Sequence, residues 1–170
     1  MPYPATVIAN EFISLAKGSG NTLTPLKLQK LVYFAHGWCL ALTGKPLISD
    51  RVQAWQYGPV IPSIYHHFKA VGNGPINDLS DEFVNVGGLR FASKATLDSF
   101  PESEERQHAK EIVAKVLEIY GGYTAARLSN ATHKNGSPWQ QVYREGERGI
   151  TVPNDLIRTY FQGQENATGQ

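Results

Sequence analysis

Between Thr24-Pro25 and Gly44 lies a stretch whose later part, Val32, Tyr33, Phe34, Ala35, Trp38, Cys39, Leu40, Ala41 and Leu42, is apolar on nearly every side. Threonine followed by proline makes an N-cap and a first helical residue, because proline's missing N–H falls where a helix has no acceptor for one. A helix that is apolar all round cannot sit at a surface, so other elements must cover most of its faces. The run from Leu31 to Leu42 is interrupted only by His36 and Gly37, and a helix needs roughly 20 apolar residues to cross a bilayer. The stretch is therefore predicted to be the central helix of a folded core, and no membrane span is expected.

The covering elements are legible on either side. Ala5, Ile8, Ala9, Phe12, Leu15 and Ala16 recur at helical spacing from Pro4 to Lys17, and Ile61, Ile64, Tyr65, Phe68 and Val71 do so after Pro62. Ala109, Ile112, Val113, Val116, Leu117 and Tyr120 form the stripe of a helix over Pro101 to Tyr120, with Glu102, Glu104 and Glu105 near its positive end. Thr124 caps a short helix carrying Leu128, Ser137-Pro138-Trp139-Gln140 has capping-box spacing, and Pro153 to Phe161 reads as the last helix. Strand signals are few. Arg51 to Tyr57 alternates and ends at Gly58-Pro59, Glu82 to Val86 and Leu89 to Ala92 flank Gly87-Gly88 as a hairpin, and Ile150 adds a short strand. The expected fold is mainly α, one compact helical domain over 1–161 with a short two- or three-stranded sheet, followed by a polar, frayed tail over 162–170.

Composition narrows the function. With 170 residues and a single cysteine, Cys39, the chain can bury a core without a disulfide, and the polar breaks at Asn10 and Glu11 make the N-terminus a poor signal peptide. A cytoplasmic location is the expectation. The net charge of +1 argues against a main role in gripping phosphate backbones. It is mildly segregated, at +4 over Met1 to Ile76, −4 over Asn77 to Tyr120 and +1 over the remainder, a distribution that solvated helix faces or an oriented protein interface would both produce.

Catalytic and ligand motifs are weak. His36 and Cys39 share a helix face but lie in the most apolar segment, while the adjacent His66 and His67 diverge by about 100 degrees on a helix, so neither pair is expected to hold a metal. No GxSxG elbow, CxxC, HExxH or phosphate-cradling glycine loop is present. His133 is expected to cap or bond a helix end. Lys27 and Lys30 form only a weak basic ridge, and no helix has the profile of a DNA-reading element.

A set of short motifs is more telling together than apart. Thr24-Pro25-Leu26-Lys27-Leu28-Gln29-Lys30-Leu31 with Ala35-His36-Gly37-Trp38, then Ala54-Trp55-Gln56-Tyr57-Gly58-Pro59-Val60-Ile61-Pro62 with Tyr65, then Leu128-Ser129, Thr132-His133 and Pro138-Trp139 occur in that order. This set resembles the Panacea domain of SocA-like antitoxins and phage-associated GepA-like proteins over roughly Ile8 to Phe161. The resemblance implies a small cytoplasmic, non-enzymatic protein without cofactor or metal, encoded beside a cognate protein toxin that it neutralises by direct complex formation. The SocA branch is known as an adaptor that delivers its toxin to the ClpXP protease. The match leaves no separate DNA-binding region, so operator binding is not expected.

Read physically, most of the signature is architectural: Leu26, Leu28, Leu31, Phe34 and Trp38 as core, Gly58 as a position needing backbone freedom, and Pro59, Pro62 and Pro138 as turn and helix-start devices. The strand face Arg51, Gln53, Trp55 and Tyr57, with His66, His67 and Lys69 of the next helix, is the candidate toxin contact, near a strand edge expected to be open. Burial of Trp55 and Tyr57 in the core is the competing reading. Two other functions stand beside the antitoxin: a metal- or histidine-dependent hydrolase using His66, His67 or His133, and a DNA-binding autorepressor.

Overall fold

The computed structural model describes residues 2–168. Helix α1 spans Ala5–Ser19 and α2 Pro25–Thr43. A hairpin of β1 (Gln53–Trp55) and β2 (Gly58–Val60) leads into α3 (Pro62–Phe68), which a 3-10 turn extends through Lys69–Val71. A second hairpin joins β3 (Glu82–Val86) to β4 (Leu89–Ser93), and a further 3-10 turn, Leu97–Ser99, precedes α4 (Glu104–Tyr120). Then come α5 (Ala125–Thr132), α6 (Pro138–Val142), β5 (Ile150–Thr151) and α7 (Asn154–Thr168). The chain is thus mainly helical with a small sheet, as its apolar periodicity predicts.

Helix α2 is the axis of the core. Thr24 Oγ1 accepts from Lys27 N at 3.3 Å and Pro25 opens the helix, and α1, α3, α4, α5, α7 and β2 all pack on it. Leu28, Leu31, Val32 and Ala35 are wholly buried. Its apolar coat is less complete at the ends, however. Leu26, read as core, is 45% exposed, and Leu42 is 58% exposed, although Leu28 and Leu40 on neighbouring faces are buried.

Helix α1 is buried on more than its predicted stripe. Asn10 and Glu11, which interrupt the apolar run, lie inside: Asn10 Nδ2 donates to Ser80 O at 2.8 Å and Ala95 O at 2.9 Å, and Glu11 Oε2 accepts from Leu97 N at 3.0 Å. These bonds hold both flanks of the second hairpin, Ser80 before it and Ala95 and Leu97 after it, against α1. Each satisfies backbone groups that would otherwise be costly to bury. Leu15, assigned to the stripe, is 37% exposed instead.

The three-stranded sheet has the order β2-β1-β5, antiparallel throughout, with Ala54 opposite Pro59 on one side and Ile150 on the other. Pro59 fits because β2 is an edge strand and needs no outward N–H there. In the sequence Gly58-Pro59 reads as the end of a strand. The structure turns at Gln56 and Tyr57 and makes Gly58-Pro59-Val60 the return strand. The second hairpin pairs Val86 with Leu89 and Glu82 with Ser93, in the expected place.

Helix α7 closes the core. Phe161, 2% exposed, lies edge-on to Tyr33, Phe34 and Trp38 at centroid distances of 5.8, 5.9 and 5.3 Å. It fits only because residue 37 has no side chain: a Cβ on Gly37 would sit 2.3 Å from Phe161 Cε2. The helix does not stop at Phe161 but continues to Thr168, so the segment read as a frayed tail is helical that far. Met1, Gly169 and Gln170 lie outside the described residues. Among the described residues, no helix is long and apolar enough to cross a membrane.

Gly37→Ala is expected to destabilise the fold by about 2–3 kcal/mol through overpacking against Phe161, measured by urea denaturation. Phe161→Leu, made in the Gly37→Ala background, should recover part of that loss.

Candidate functional site

The candidate face is built on β1 and α3. Ala54 points into the core, so Gln53 and Trp55 on either side emerge on the opposite face, both half-buried. Trp55 Nε1 donates to Gln53 Oε1 at 2.9 Å, and the Trp55 ring meets Tyr65 edge-on at 5.0 Å. Tyr65 in turn meets His66 at 5.4 Å. Gln53, Trp55, Tyr65 and His66 therefore form one chain of contacts across the hairpin and α3. Tyr57, at the turn, stands 74% exposed, while Arg51 and Lys69 are exposed cations. His67 leaves the group, its Nδ1 bonding Ser80 Oγ at 2.5 Å on the other side of α3.

Three expectations need correction here. β1 is the central strand, paired on both sides, so the edge offered as a docking feature is not open; β2 and β5 are the edges. Tyr65 and Val71, placed on the buried stripe of α3, are 43% and 39% exposed, because that helix lies at the periphery and buries only Ile64 and Phe68. Tyr57 is not core.

Beneath the hairpin lies a polar node that joins four segments. Lys30 of α2 is fully buried and its Nζ donates to Pro59 O at 3.1 Å. It sits directly under Gly58, whose φ of +118° is open to glycine and whose absent Cβ would lie 2.8 Å from Lys30 Nζ and 3.0 Å from His133 Cε1. His133 Nδ1–H donates to Ser129 O at 2.7 Å, closing the end of α5 as expected, and its ring lies 4.5 Å from that of Trp139. Trp139 Nε1 donates to Trp55 O at 2.6 Å, tying α6 to β1. Alongside, Gln29 grips Ile61 through both bonds of its amide, Nε2 to the carbonyl at 2.9 Å and Oε1 from the N–H at 3.0 Å. The node thus fixes the position of the strand and helix that carry the exposed face.

Lys30 was the least legible of these residues. Beside Lys27 it reads as part of a basic ridge, but the two diverge: Lys27 Nζ caps the end of α4 by donating to Gly121 O, and Lys30 goes inside. Burial pushes the Lys30 ammonium down to about 8. The remaining candidates are structural. His36, fully buried, bonds Asn154 Oδ1 through Nε2 at 2.9 Å and accepts from Ile48 N at 3.5 Å through Nδ1, and burial lowers its pKa. Cys39 lies against Thr43 Oγ1 at 3.7 Å with its thiol pKa raised by burial. Among the described residues, no three His, Cys, Asp or Glu side chains converge as a metal centre would need.

The node unites Lys30, Gly58-Pro59, Thr132-His133 and Trp139, which are the separated pieces of the sequence signature. Comparison with known proteins agrees. The model of the family described as "Antitoxin SocA-like, Panacea domain" matches residues 28–140, more than half of the chain. The chain belongs to this family. It is 31% identical over 165 residues to Antitoxin SocA of Caulobacter vibrioides (strain NA1000 / CB15N), covering 95% of this chain and 84% of that protein. No solved structure matches. The Panacea match runs from Leu28, in α2, to Gln140, in α6, and so contains the whole node and the candidate face but not α7.

In this Panacea chain the folded Lys30 sheds its proton well before an unfolded lysine does. Between pH 8 and 10.5 the unfolded chain thus binds more protons, and stability rises with pH across that window. Relative to Lys30→Met, the parent should gain about 2 kcal/mol between about pH 8 and about pH 9.5. Urea titrations of both proteins at stepped pH would show parallel curves instead if Lys30 were solvated.

Proposed function

We propose that this chain is the antitoxin of a bacterial or prophage toxin–antitoxin pair and neutralises a cognate protein toxin, encoded by an adjacent gene, by binding it directly. Family membership carries the reading. The buried state of Lys30, His36 and Cys39 agrees with it, since none presents a reactive group to solvent. The proposed contact is the face of Arg51, Gln53, Trp55, Tyr57, His66, His67 and Lys69, to which Tyr65 is now added. A half-buried tryptophan flanked by tyrosines is the type of side chain on which protein interfaces concentrate their affinity. The cations beside it suit an acidic patch on the toxin and would speed encounter at low salt. Handover of the bound toxin to a AAA+ protease such as ClpXP, the mode known for the SocA branch, is one route by which that binding would neutralise it; occlusion and refolding are the others.

Co-expression with the neighbouring open reading frame should relieve a growth arrest that this frame causes alone. Tyr57→Ala, at a side chain the fold does not use, should weaken toxin capture by about 10- to 30-fold. Arg51→Ala with Lys69→Ala should slow association and flatten its salt dependence. Undiminished capture by the combined Arg51, Gln53, His66 and Lys69 alanine variant would remove this face from the proposal. Growth rescue that persists in cells lacking ClpXP would place neutralisation in binding itself, and rescue lost there would place it in degradation.

A further inference from the structure

A second surface of the molecule has the build of a recognition groove. Between α2, α4, α5 and α7 a cleft of about 440 Å³ opens to solvent, within the range of sites that hold small ligands or single anchoring side chains. Its floor is aromatic: Phe34 and Tyr120 stack at 4.8 Å with planes 11° apart, and Trp38 and Tyr160 stand beside them. The polar handle of the floor is already used, since Trp38 Nε1 donates to Tyr120 Oη at 3.3 Å. What the floor offers an incoming group is therefore apolar contact. None of these residues belongs to the β1–α3 face.

The rim supplies the selectivity. Arg127 and Lys134, both exposed, border the cleft, and no aspartate or glutamate lines it. The Arg127 guanidinium lies 3.8 Å over the Tyr123 ring, a cation–π contact that steadies it at the mouth. Neither cation has an ion-pair partner among the described residues. Among the described residues five ion pairs form, at Asp78, Asp98, Glu102 and Glu118, and none of these acids lines this mouth.

We propose that this groove docks an acidic peptide segment of a protein partner, one large apolar side chain entering the aromatic floor and flanking carboxylates meeting Arg127 and Lys134. Charge complementarity selects this occupant. A phosphate backbone would want more than two cations, and the stacked Phe34–Tyr120 pair has one ring face already covered, leaving little platform for successive bases. The inference goes beyond the toxin-contact reading and shares no residue with it.

The probe is the acetylated, amidated hexapeptide Asp-Glu-Leu-Phe-Asp-Glu, titrated into the 15N-labelled full chain, with a Lys/Arg-for-Asp/Glu counterpart as control. The chain has three tryptophans, so three indole signals report three places. Saturable movement of the Trp38 indole with the acidic peptide, with Trp55 still and the basic peptide inert, is the expected result. Arg127→Ala with Lys134→Ala, at two exposed positions, should weaken that binding by about tenfold, and rising salt should do the same. Several results would overturn the proposal: equal binding by the double variant, equal response to the basic peptide, stronger binding of an oligothymidine, or a self-association that buries Trp38 without peptide. Toxin capture is read on Arg51, Tyr57 and Lys69 variants and peptide binding on Arg127 and Lys134 variants, so either reading can fail while the other stands.

Discussion

A helix enclosed on most sides can leave no polar group without a partner, and that constraint organises this molecule around α2. Gln29, Lys30 and His36 all lie inside, and each is answered by a distant segment: the end of β2, Pro59, and the start of α7 with the loop at Ile48. Losing one partner would strand a buried donor or acceptor at a cost of about 1–3 kcal/mol, more for the ammonium. The apolar neighbours supply the driving force for collapse. The three polar side chains determine which segments collapse where.

The candidate face inherits its geometry from that arrangement. Lys30 holds the carbonyl of Pro59, Trp139 holds the carbonyl of Trp55, and Gln29 holds Ile61 just before α3 begins. The hairpin is only three residues deep on each side, and two-stranded pieces of that size are marginal alone. Here its backbone is anchored from below by side chains of α2 and α6. The surface of Trp55, Tyr57 and Tyr65 is thereby presented on a rigid base, which lowers the ordering cost of any contact made there.

Much of this was legible in the sequence because caps and periodicity are local. Thr24-Pro25, Thr124 and Ser137-Pro138 all begin helices with the side-chain bonds their identities imply. The Glu82–Val86 hairpin pairs as its glycines suggest. Errors fell where tertiary context decides. Spacing alone puts Tyr65 and Val71 on an inner stripe, yet α3 is peripheral and has few neighbours to cover it. Nothing in the pattern of Lys27 and Lys30 says that one caps a helix and the other goes under a glycine. The signature motifs located the right residues, but as scattered pieces; only the fold shows that Lys30, Gly58, His133 and Trp139 meet. The groove residues Arg127 and Lys134 carry no signal, since single cations on or just past a short helix look like ordinary solvated positions.

The seat of Phe161 over Gly37 has a bearing on the life of the chain in a cell. The residue that seals the central helix is made well after that helix, as Ile150, which completes the sheet, is made well after the first hairpin. A nascent chain emerging from the ribosome must therefore carry an unsealed cluster of aromatic rings until the closing helix arrives. Peeling it back would uncover Tyr33, Phe34 and Trp38 at once, the kind of sticky, half-open body that quality-control machinery seizes.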